Sequence, residues 1–347
     1  MKEQEKQNNI GFLKKFFIKI CRVFGYEIID QNKLTIPTQK KMISDNLNIP
    51  GKKSITLPLG EVKISRKVKA LTVIFRSCTE VNMLTQSKKR LFDQKKSEYT
   101  FRSLNSIILA LKQAYQKFPH VQFDIIVIDY KSKKDDLNQI KNQLDKSNLK
   151  NTIISLDINE FKSKINNVNA KNEKVTENQM SNMSNIHKSF LIARKQCKDS
   201  IYFVEDDYLH QSDSITEMIF TYERLASQIN SELFLCPADY PYLYTKMEPT
   251  NIVIGSNKHW RIISETLCTF LTSSTMLEKY WNKFISMCQF EHYPFEKPLH
   301  DIYKSEYCFS PVPSIALHCT NANSVFGLSP NVDWIKIWNE NENYSNS

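Results

Sequence analysis

Glycine is scarce in this chain: six of its 347 residues are glycine, and none of them belongs to a glycine-rich run. The sequence therefore offers no glycine-rich loop of the kind whose backbone wraps a phosphate. The eight cysteines are scattered and include no Cys-x-x-Cys pair. This spacing argues against a zinc module or a disulfide framework, and it favours a reducing cytoplasm.

Long apolar runs are also missing. The first nine residues are polar, and the apolar stretch after them is too short and too charged for a transmembrane helix or a signal sequence. Hydrophobic residues nevertheless make up 41% of the chain. We therefore expect a large α/β domain with a sizeable core and an N-terminal appendage.

The net charge of +10 is concentrated at one end of the chain. Residues 1–69 contain 15 Lys or Arg and 6 Asp or Glu, whereas the remaining residues contain 32 and 31. A nucleic-acid-binding enzyme more often has basic residues around its cleft. The distribution therefore predicts a basic N-terminal arm and no nucleic-acid partner.

Residues 10–26 of this arm have the pattern of an amphipathic basic helix. Apolar residues recur at helical spacing, namely Leu13, Phe16, Phe17, Ile20, Val23 and Phe24. Basic residues lie between them, namely Lys14, Lys15, Lys19 and Arg22. Such a helix either packs its apolar face on the main domain or lies on an anionic membrane surface.

From residue 70 onward, apolar strand patterns alternate with helix patterns. Strands are predicted at 71–75, 123–128, 152–156, 201–204, 232–236 and 266–272, and helices at 101–115, 135–144, 183–195, 214–226 and 274–288. Strands separated by helices of this length form parallel crossovers. The pattern predicts a doubly wound, mostly parallel sheet flanked by helices.

An acidic tripeptide follows the fourth predicted strand. Glu205, Asp206 and Asp207 come directly after the apolar run that ends at Val204. Ligands of such sheets bind outside the carboxyl ends of the strands, and three adjacent carboxylates require a cation. A divalent ion that also binds a diphosphate is one solution, and an ordinary acidic turn is the alternative.

In motif order the chain resembles nucleotide-sugar-dependent glycosyltransferases of the GT-A fold, over roughly residues 70–325. It is most similar to the family 2 type and to animal N-acetylglucosaminyltransferases, in which the DXD metal motif is also written EDD. The resemblance implies that Arg76, Ser77 and Asp129 hold the nucleoside. Asp129 is followed by Tyr130-Lys131-Ser132 where family members often have Gly-Ser, and an Asp that only caps the turn is the alternative.

The resemblance also implies a metal site for Mn²⁺ or Mg²⁺. Asp207 corresponds to the direct ligand, Asp206 to a ribose or metal-bound water contact, and Glu205 to a nucleoside contact. The ion offsets charge on the departing nucleoside diphosphate. His318 follows another strand-like run and is implied as a ligand of the metal or diphosphate, although a histidine there is also a common structural residue.

An inverting transfer needs a general base close to the acceptor hydroxyl. In the family this base lies in an acidic pair that opens a helix, and the corresponding residue is Asp301, after Pro298. The chain has His300 where Glu is usual. Asp239 and Glu265 are the competing candidates.

The irregular segment between residues 237 and 260 and its flanks are predicted to bind the acceptor. Trp260, Arg261 and Tyr240 provide aromatic faces and a forked donor suited to sugar rings and phosphates. The same aromatic residues would also suit packing of a loop on the core.

The sequence therefore predicts a glycosyltransferase of the hexosyltransferase type that transfers a sugar from a nucleotide diphosphate-sugar to a glycan or lipid-linked acceptor. We expect it in the cytoplasm, peripheral on the inner face of the membrane. A nucleotidyltransferase of related fold and an inactive sugar-binding module are the alternatives. The predicted organisation is an arm at 1–69, a nucleotide-sugar half at 70–210, an acceptor half at 211–330 and a tail at 331–347.

Overall fold

The computed structural model of the chain divides into two compact units. It describes residues 2–26, 48–49, 53–56, 60–80, 91–169, 172–245, 250–290, 296–319 and 324–342. One unit comprises Met1–Asn48 and Ile55–Val62, and the other comprises Ile49–Ser54 and Lys63–Ser347.

The N-terminal part of the chain contains one long helix, α1, at Lys2–Val23. Three short strands follow it, β1 at Asn48–Ile49, β2 at Lys53–Thr56 and β3 at Gly60–Lys63. None of the helices within the described residues has the length and the apolar character that crossing a bilayer requires.

The larger unit is built on a nine-stranded sheet. Its strands are β4 at Ala70–Ser77, β5 at Gln122–Asp129, β6 at Lys150–Ser155, β7 at Ser200–Glu205, β9 at Phe234–Leu235, β10 at Ile252–Ile254, β11 at His259–Ile262, β12 at Phe270–Ser273 and β13 at Cys308–Val312. Their order is β10-β11-β13-β9-β12-β7-β4-β5-β6. All of them run in one direction except β11 and β12, so the predicted α/β fold with a mostly parallel sheet is confirmed.

Helices connect and flank these strands. They are α2 at Lys96–Lys117, α3 at Lys134–Ser147, α4 at Glu177–Gln196, α5 at Ser214–Ile229, α6 at Ser274–Lys279, α7 at Trp281–Gln289, α8 at Lys297–Ile302 and α9 at Trp334–Glu340. The central strands β4, β5 and β7 are almost entirely buried, as expected for parallel strands covered on both faces.

Element boundaries depart from the predicted ones for local reasons. Helix α4 begins six residues earlier than predicted, because Thr176 and Gln179 form a reciprocal capping box at its start. The helix predicted at 274–288 is divided at Tyr280 into α6 and α7. The strand predicted at 266–272 begins only at Phe270.

A second, two-stranded sheet lies beside the end of β7. It pairs β8, Tyr208–His210, with β14, Ala316–His318, in antiparallel register. The segment predicted as a C-terminal tail contains helix α9, whose Trp338 is buried and stacks on Phe92 with ring centroids 3.9 Å apart. The backbone carbonyl of Trp338 accepts a hydrogen bond from Arg102 in α2, so α9 is anchored to α2.

Candidate functional site

The carboxyl ends of β4, β5 and β7 lie side by side, and they hold most of the predicted donor-binding residues. Arg76 of β4 is opposite Glu205 of β7, and Ser77 is opposite Asp129 of β5. Parallel pairing places equivalent strand ends at the same edge of the sheet. The predicted nucleoside residues and the acidic tripeptide therefore meet at one edge.

Pairing of β8 with β14 brings His318 to the same edge. Its partner in the register is Tyr208, the residue after Asp207, and the two rings stack with centroids 4.8 Å apart. The Nδ1–H of His318 donates to the carbonyl oxygen of Phe326 at 2.8 Å. Because a carbonyl only accepts, this bond fixes the tautomer and directs Nε2 toward Asp207 Oδ2, 3.5 Å away.

Each carboxylate of the tripeptide has its own cationic partner. Glu205 pairs with Arg76 at 2.8 Å, Asp206 pairs with Lys96 at the start of α2, and Asp207 pairs with His318. We call these six residues the strand-end cluster. It contains three acidic and three basic side chains, so the repulsion expected within the tripeptide is balanced by the chain itself.

The cluster shifts the pKa values of its members in opposite directions. Burial acts to raise the pKa of Asp207, but the charge and hydrogen bond of His318 lower it to about 2. Burial acts to lower the pKa of His318, but Asp207 raises it to about 9. Burial and the neighbouring Asp207 raise the pKa of Glu205, with Arg76 opposing them.

Asp206 is the most extensively bonded carboxylate of the three. Besides Lys96, its Oδ2 accepts hydrogen bonds from Thr100 Oγ1 at 2.8 Å and from the backbone N–H of Cys78 at 3.1 Å. These donors come from α2 and from the end of β4. In this structure Asp206 therefore connects three elements at the sheet edge.

Asp129 caps the turn that follows β5. Its Oδ1 accepts from Ser77 Oγ at 2.7 Å and from Ser132 Oγ at 2.6 Å, and Oδ2 accepts from the backbone N–H of Ser132 at 3.2 Å. Burial raises its pKa, although these hydrogen bonds oppose the shift. The turn-capping alternative thus describes the observed contacts, at a position next to the cluster.

Two carboxyl groups in and next to helix α8 have contrasting surroundings. Asp301, the predicted base, pairs with Lys304 at 2.6 Å and with Lys283 at 3.7 Å, and the Lys304 hydrogen bond lowers its pKa. Glu296, just before the helix, is buried. Burial raises its pKa to about 8, and the charges of Glu205, Arg76 and His318 also act on it. Glu296 therefore lies within electrostatic reach of the strand-end cluster, whereas the charges that act on Asp301 are lysines.

Asp239, the competing base, belongs to a separate polar group with Arg261 and Tyr244. Asp239 is fully buried, forms an ion pair with Arg261 and accepts from Tyr244 Oη at 2.5 Å. The Arg261 guanidinium lies over the Tyr244 ring, 4.5 Å from its centroid. We call these three residues the Asp239 cluster. The third candidate, Glu265, is half-buried, and its backbone oxygen accepts from Tyr242.

Two predicted acceptor residues are in the core instead of on an accessible face. Trp260 is fully buried, and its Nε1–H donates to Glu217 Oε1 at 3.0 Å. Tyr240 is also fully buried, and its hydroxyl lies 2.6 Å from that of Tyr208. Neither ring has an exposed face on which a sugar could stack, so the observed contacts of Trp260 and Tyr240 are those of core packing, the alternative that the sequence left open. Arg261 is bound to Asp239.

The sequence reasoning missed two charged residues of this region, Lys96 and Glu296. Lysine is so frequent in this chain that no local pattern distinguishes Lys96, and the predicted helix begins only at residue 101. Glu296 precedes Pro298, where a helix start is expected, and this position was the available signal.

Asp207 and His318 provide one oxygen donor and one nitrogen donor of the kinds that bind a divalent cation. Within the described residues, no group of three or more His, Cys, Asp or Glu side chains is arranged to hold a metal ion. Asp207 and His318 form a pair of one oxygen and one nitrogen donor, with the histidine tautomer fixed by Phe326. Mg²⁺ keeps several waters and is commonly bound through one or two carboxylates plus phosphates. Asp207 and His318 thus provide donor types that Mn²⁺ and Mg²⁺ accept.

Comparison with known proteins gives no match to a family model and none to a curated protein sequence. Several solved structures are similar at low identity. The bifunctional glycosyltransferase WbbM has a TM-score of 0.35 and 10% identity, covering 78% of this chain and 41% of its own. Galactosyltransferase LgtC with donor and acceptor sugar analogs has a TM-score of 0.34 and 11% identity, covering 79% and 94%.

A UDP-glucose pyrophosphorylase complexed with UDP-glucose has a TM-score of 0.39 and 6% identity, covering 80% of this chain and 97% of its own. A second LgtC structure is matched over 65% of its chain. The present chain therefore spans less than half of WbbM and about two thirds of that second structure. TM-scores this low do not assign the chain to a family.

Proposed function

We propose that this protein is a nucleotide-sugar-dependent glycosyltransferase of the GT-A type, similar to family 2 in its EDD form of the metal motif. One observation carries the proposal: Asp207 and His318 converge where the parallel strands end, next to Arg76, Ser77 and Asp129. This is the edge at which open α/β sheets bind their ligands. The Asp207 carboxylate and the imidazole nitrogen are suitable donors for Mn²⁺ or Mg²⁺.

In this proposal Asp207 and His318 hold the divalent cation. When bound, the ion acts as a Lewis acid toward the diphosphate leaving group. His318 would bind the ion through Nε2 after losing the Nε2 proton that faces Asp207, while its Nδ1–H stays bonded to Phe326. Arg76, Ser77 and Asp129 orient the nucleoside. Glu205 is held by Arg76, and Asp206 by Thr100 and Cys78.

Transfer with inversion needs one carboxylate that accepts the proton of the attacking hydroxyl. As the acceptor oxygen bonds to the anomeric carbon, the bond from that carbon to the diphosphate breaks and the proton passes to the base. Asp301 stays the predicted base from the motif order. Glu296 is the second candidate, because it is buried close enough to the strand-end cluster to respond to its charges.

Binding of a nucleotide diphosphate-sugar tests the proposal. A panel of UDP-, GDP-, CDP- and dTDP-sugars is measured by thermal shift and by Mn²⁺-dependent hydrolysis, using the wild type and Asp207→Asn. We expect one class of donor to stabilise the wild type, and the Asn variant to lose its metal-dependent binding because it lacks the anionic ligand. The control is Asp135→Asn, at an exposed carboxylate in the first turn of α3. Equal donor affinity in wild type and Asp207→Asn would refute the metal assignment.

We further propose that helix α1 holds the enzyme on the inner, anionic face of the cytoplasmic membrane, where a glycan or lipid-linked acceptor is available. At about 100° per residue, one arc of about 140° on α1 holds six apolar side chains, namely Phe12, Leu13, Phe16, Phe17, Ile20 and Val23. The opposite side holds Ile18 and the basic side chains, namely Lys14, Lys15, Lys19 and Arg22. The side chains of this apolar arc are exposed, from 40% for Ile20 to 82% for Val23. This surface suits a headgroup interface, where each basic residue adds about 1 kcal/mol.

Vesicle sedimentation tests the membrane proposal. Deletion of residues 1–30, or the pair Phe16→Ser and Phe17→Ser, should release the protein from anionic vesicles and leave turnover of a soluble acceptor unchanged. Tyr115→Ser, at an exposed aromatic residue of α2, is the matched control. If the deletion variant still sediments with the vesicles, α1 is not the anchor.

A further inference from the structure

Lys96 is the one basic residue of the strand-end cluster that stands on a flexible stem at the start of a helix. It is the first residue of α2, a helix of 22 residues, and its Nζ pairs with Asp206. The side chains of Lys96 and Asp206 both remain 13% exposed, so the pair is not sealed in the core. The positive end of the α2 dipole points to the same position.

The other two cations of the cluster are held more rigidly. Arg76 lies between Glu205 and the side-chain oxygen of Asn182, which accepts from Nη1 at 3.1 Å. His318 is stacked on Tyr208 and fixed through Nδ1. A guanidinium and an imidazole in such contacts keep their positions, whereas a lysine has a flexible four-carbon stem that reorients easily.

Asp206 is able to release Lys96 without losing its other partners. Thr100 Oγ1 and the backbone N–H of Cys78 both donate to Oδ2, and Lys96 contacts Oδ1. A carboxylate that keeps two hydrogen bonds is still partly stabilised in its charged form. Moving Lys96 therefore leaves no bare buried charge, which is the costly outcome when a buried ion pair is broken.

We propose that Lys96 is a diphosphate-binding residue: its ammonium group moves from Asp206 to a phosphate oxygen of the donor when the donor binds. This inference rests on the function proposed above. It assigns to Lys96 a role that neither the acidic motif nor its spacing suggests. An incoming diphosphate brings two negative charges beside three carboxylates, and the movable ammonium supplies a charge-assisted hydrogen bond at the edge where they meet.

Binding measurements on Lys96→Met and Lys96→Gln test the proposal. The probes are inorganic pyrophosphate, the nucleoside diphosphate that stabilises the wild type most among UDP, GDP, CDP and dTDP, and the nucleoside of that same base. Affinities are measured by calorimetry at one fixed Mn²⁺ concentration. We expect both variants to bind pyrophosphate and the nucleoside diphosphate at least tenfold more weakly, with nucleoside affinity unchanged.

Lys96→Gln separates ligand binding from a structural role, because glutamine still donates a hydrogen bond to Asp206 and keeps the fold. If Lys96→Gln binds diphosphate as tightly as the wild type does, the assignment is overturned. It is also overturned if both variants lose nucleoside affinity by the same factor as diphosphate affinity. Lys95→Met removes the neighbouring exposed lysine and should bind like the wild type. Lys96→Arg, which keeps the charge, should recover part of the affinity.

The measurements distinguish a failure of the proposed function from a failure of the role assigned to Lys96. If no nucleoside diphosphate binds the wild type, the proposed function fails and the role of Lys96 fails with it. If the wild type binds one and both neutral variants bind it equally well, only the role of Lys96 is overturned.

Discussion

Two buried groups of charged side chains in this protein use the same chemistry in different ways. In the Asp239 cluster, one carboxylate is held by a guanidinium and a phenol, and the guanidinium also stacks on that phenol. In the strand-end cluster, three carboxylates have three separate cations, and one carboxylate has two further donors. The Asp239 side chain has two partners, Arg261 and Tyr244. The Asp206 side chain has Thr100 and Cys78 in addition to Lys96, so it depends less on its cation.

The contrast shows how to distinguish a structural ion pair from a candidate binding site. A charge whose partners would be left unsatisfied by its movement is fixed in place. Without Arg261, Asp239 would keep one donor, the Tyr244 hydroxyl, whereas without Lys96, Asp206 would keep two, one of them a backbone N–H. The cation whose partner keeps more donors is the one that is more available to a ligand. Burial alone does not separate the two groups, since Asp206 and Asp239 are both buried.

The largest expected effect of substitutions in the two clusters is on the free energy of unfolding. Arg261→Met leaves Asp239 buried without its cation, so the free energy of unfolding should fall by about 3–5 kcal/mol. Urea denaturation measures this change. Lys96→Met is the comparison variant and should lose less, because Asp206 keeps Thr100 and Cys78. A smaller loss in Arg261→Met than in Lys96→Met would contradict the distinction between the clusters.

The carboxyl groups of Asp301, in α8, and of Glu296, just before α8, extend the comparison to catalysis. If Asp301 is the base, Asp301→Asn should reduce transfer by about 10²-fold or more while donor binding stays intact. If Glu296 is the base, Glu296→Gln should do so instead. The wild-type rate should then rise with pH toward about 8, because this carboxyl must lose its proton. If both variants transfer the sugar at the wild-type rate, neither Asp301 nor Glu296 is the base.

A smaller effect is expected on the pH dependence of stability. The pKa of Glu296 is raised from 4.5 to about 8, so between these values the folded protein retains a proton that the unfolded chain releases. Stability should therefore fall as pH rises through this range. Glu296→Gln removes the penalty and should be more stable than the wild type by roughly 1–3 kcal/mol at pH 8.5, with little difference at pH 4.5. Thermal unfolding at both pH values measures this, and an equal difference at the two would contradict it.

The smallest effect is expected at the exposed ion pair of Asp301. Lys304 is 76% exposed, and solvent screens such pairs. Lys304→Met should change the free energy of unfolding by about 0–1 kcal/mol. A loss as large as that of Arg261→Met would show that exposure does not separate these pairs.

The sequence predicted the sheet and the edge at which its polar residues gather. Apolar runs such as 71–75 and 201–204 mark central strands, because parallel strands covered on both faces need uninterrupted apolar side chains. The residues directly after such runs then meet at one edge. Arg76, Ser77, Asp129 and the acidic tripeptide stand at the ends of such runs, and His318 ends another strand-like run. Their roles in donor and metal binding were implied by the resemblance and not by the apolar pattern.

The sequence did not predict which residues would pair with them. Lys96 and Asp206 are 110 positions apart, and a pattern read over a few residues gives no information about such contacts. Trp260 and Tyr240 have the composition of a binding surface, yet both are in the core and bond to Glu217 and Tyr208. Aromatic rings with one polar atom suit either location, so only packing decides between them.

The sequence by itself determined an α/β protein with an acidic tripeptide at a strand end and a basic amphipathic helix, because periodicity and strand ends are local properties of the chain. Only the tertiary structure decided that each acid of the tripeptide has its own cation, that Glu296 and not Asp301 responds to them, and that Asp239 is held by Arg261. These choices depend on distance and burial, which arise when elements far apart in the chain are packed together.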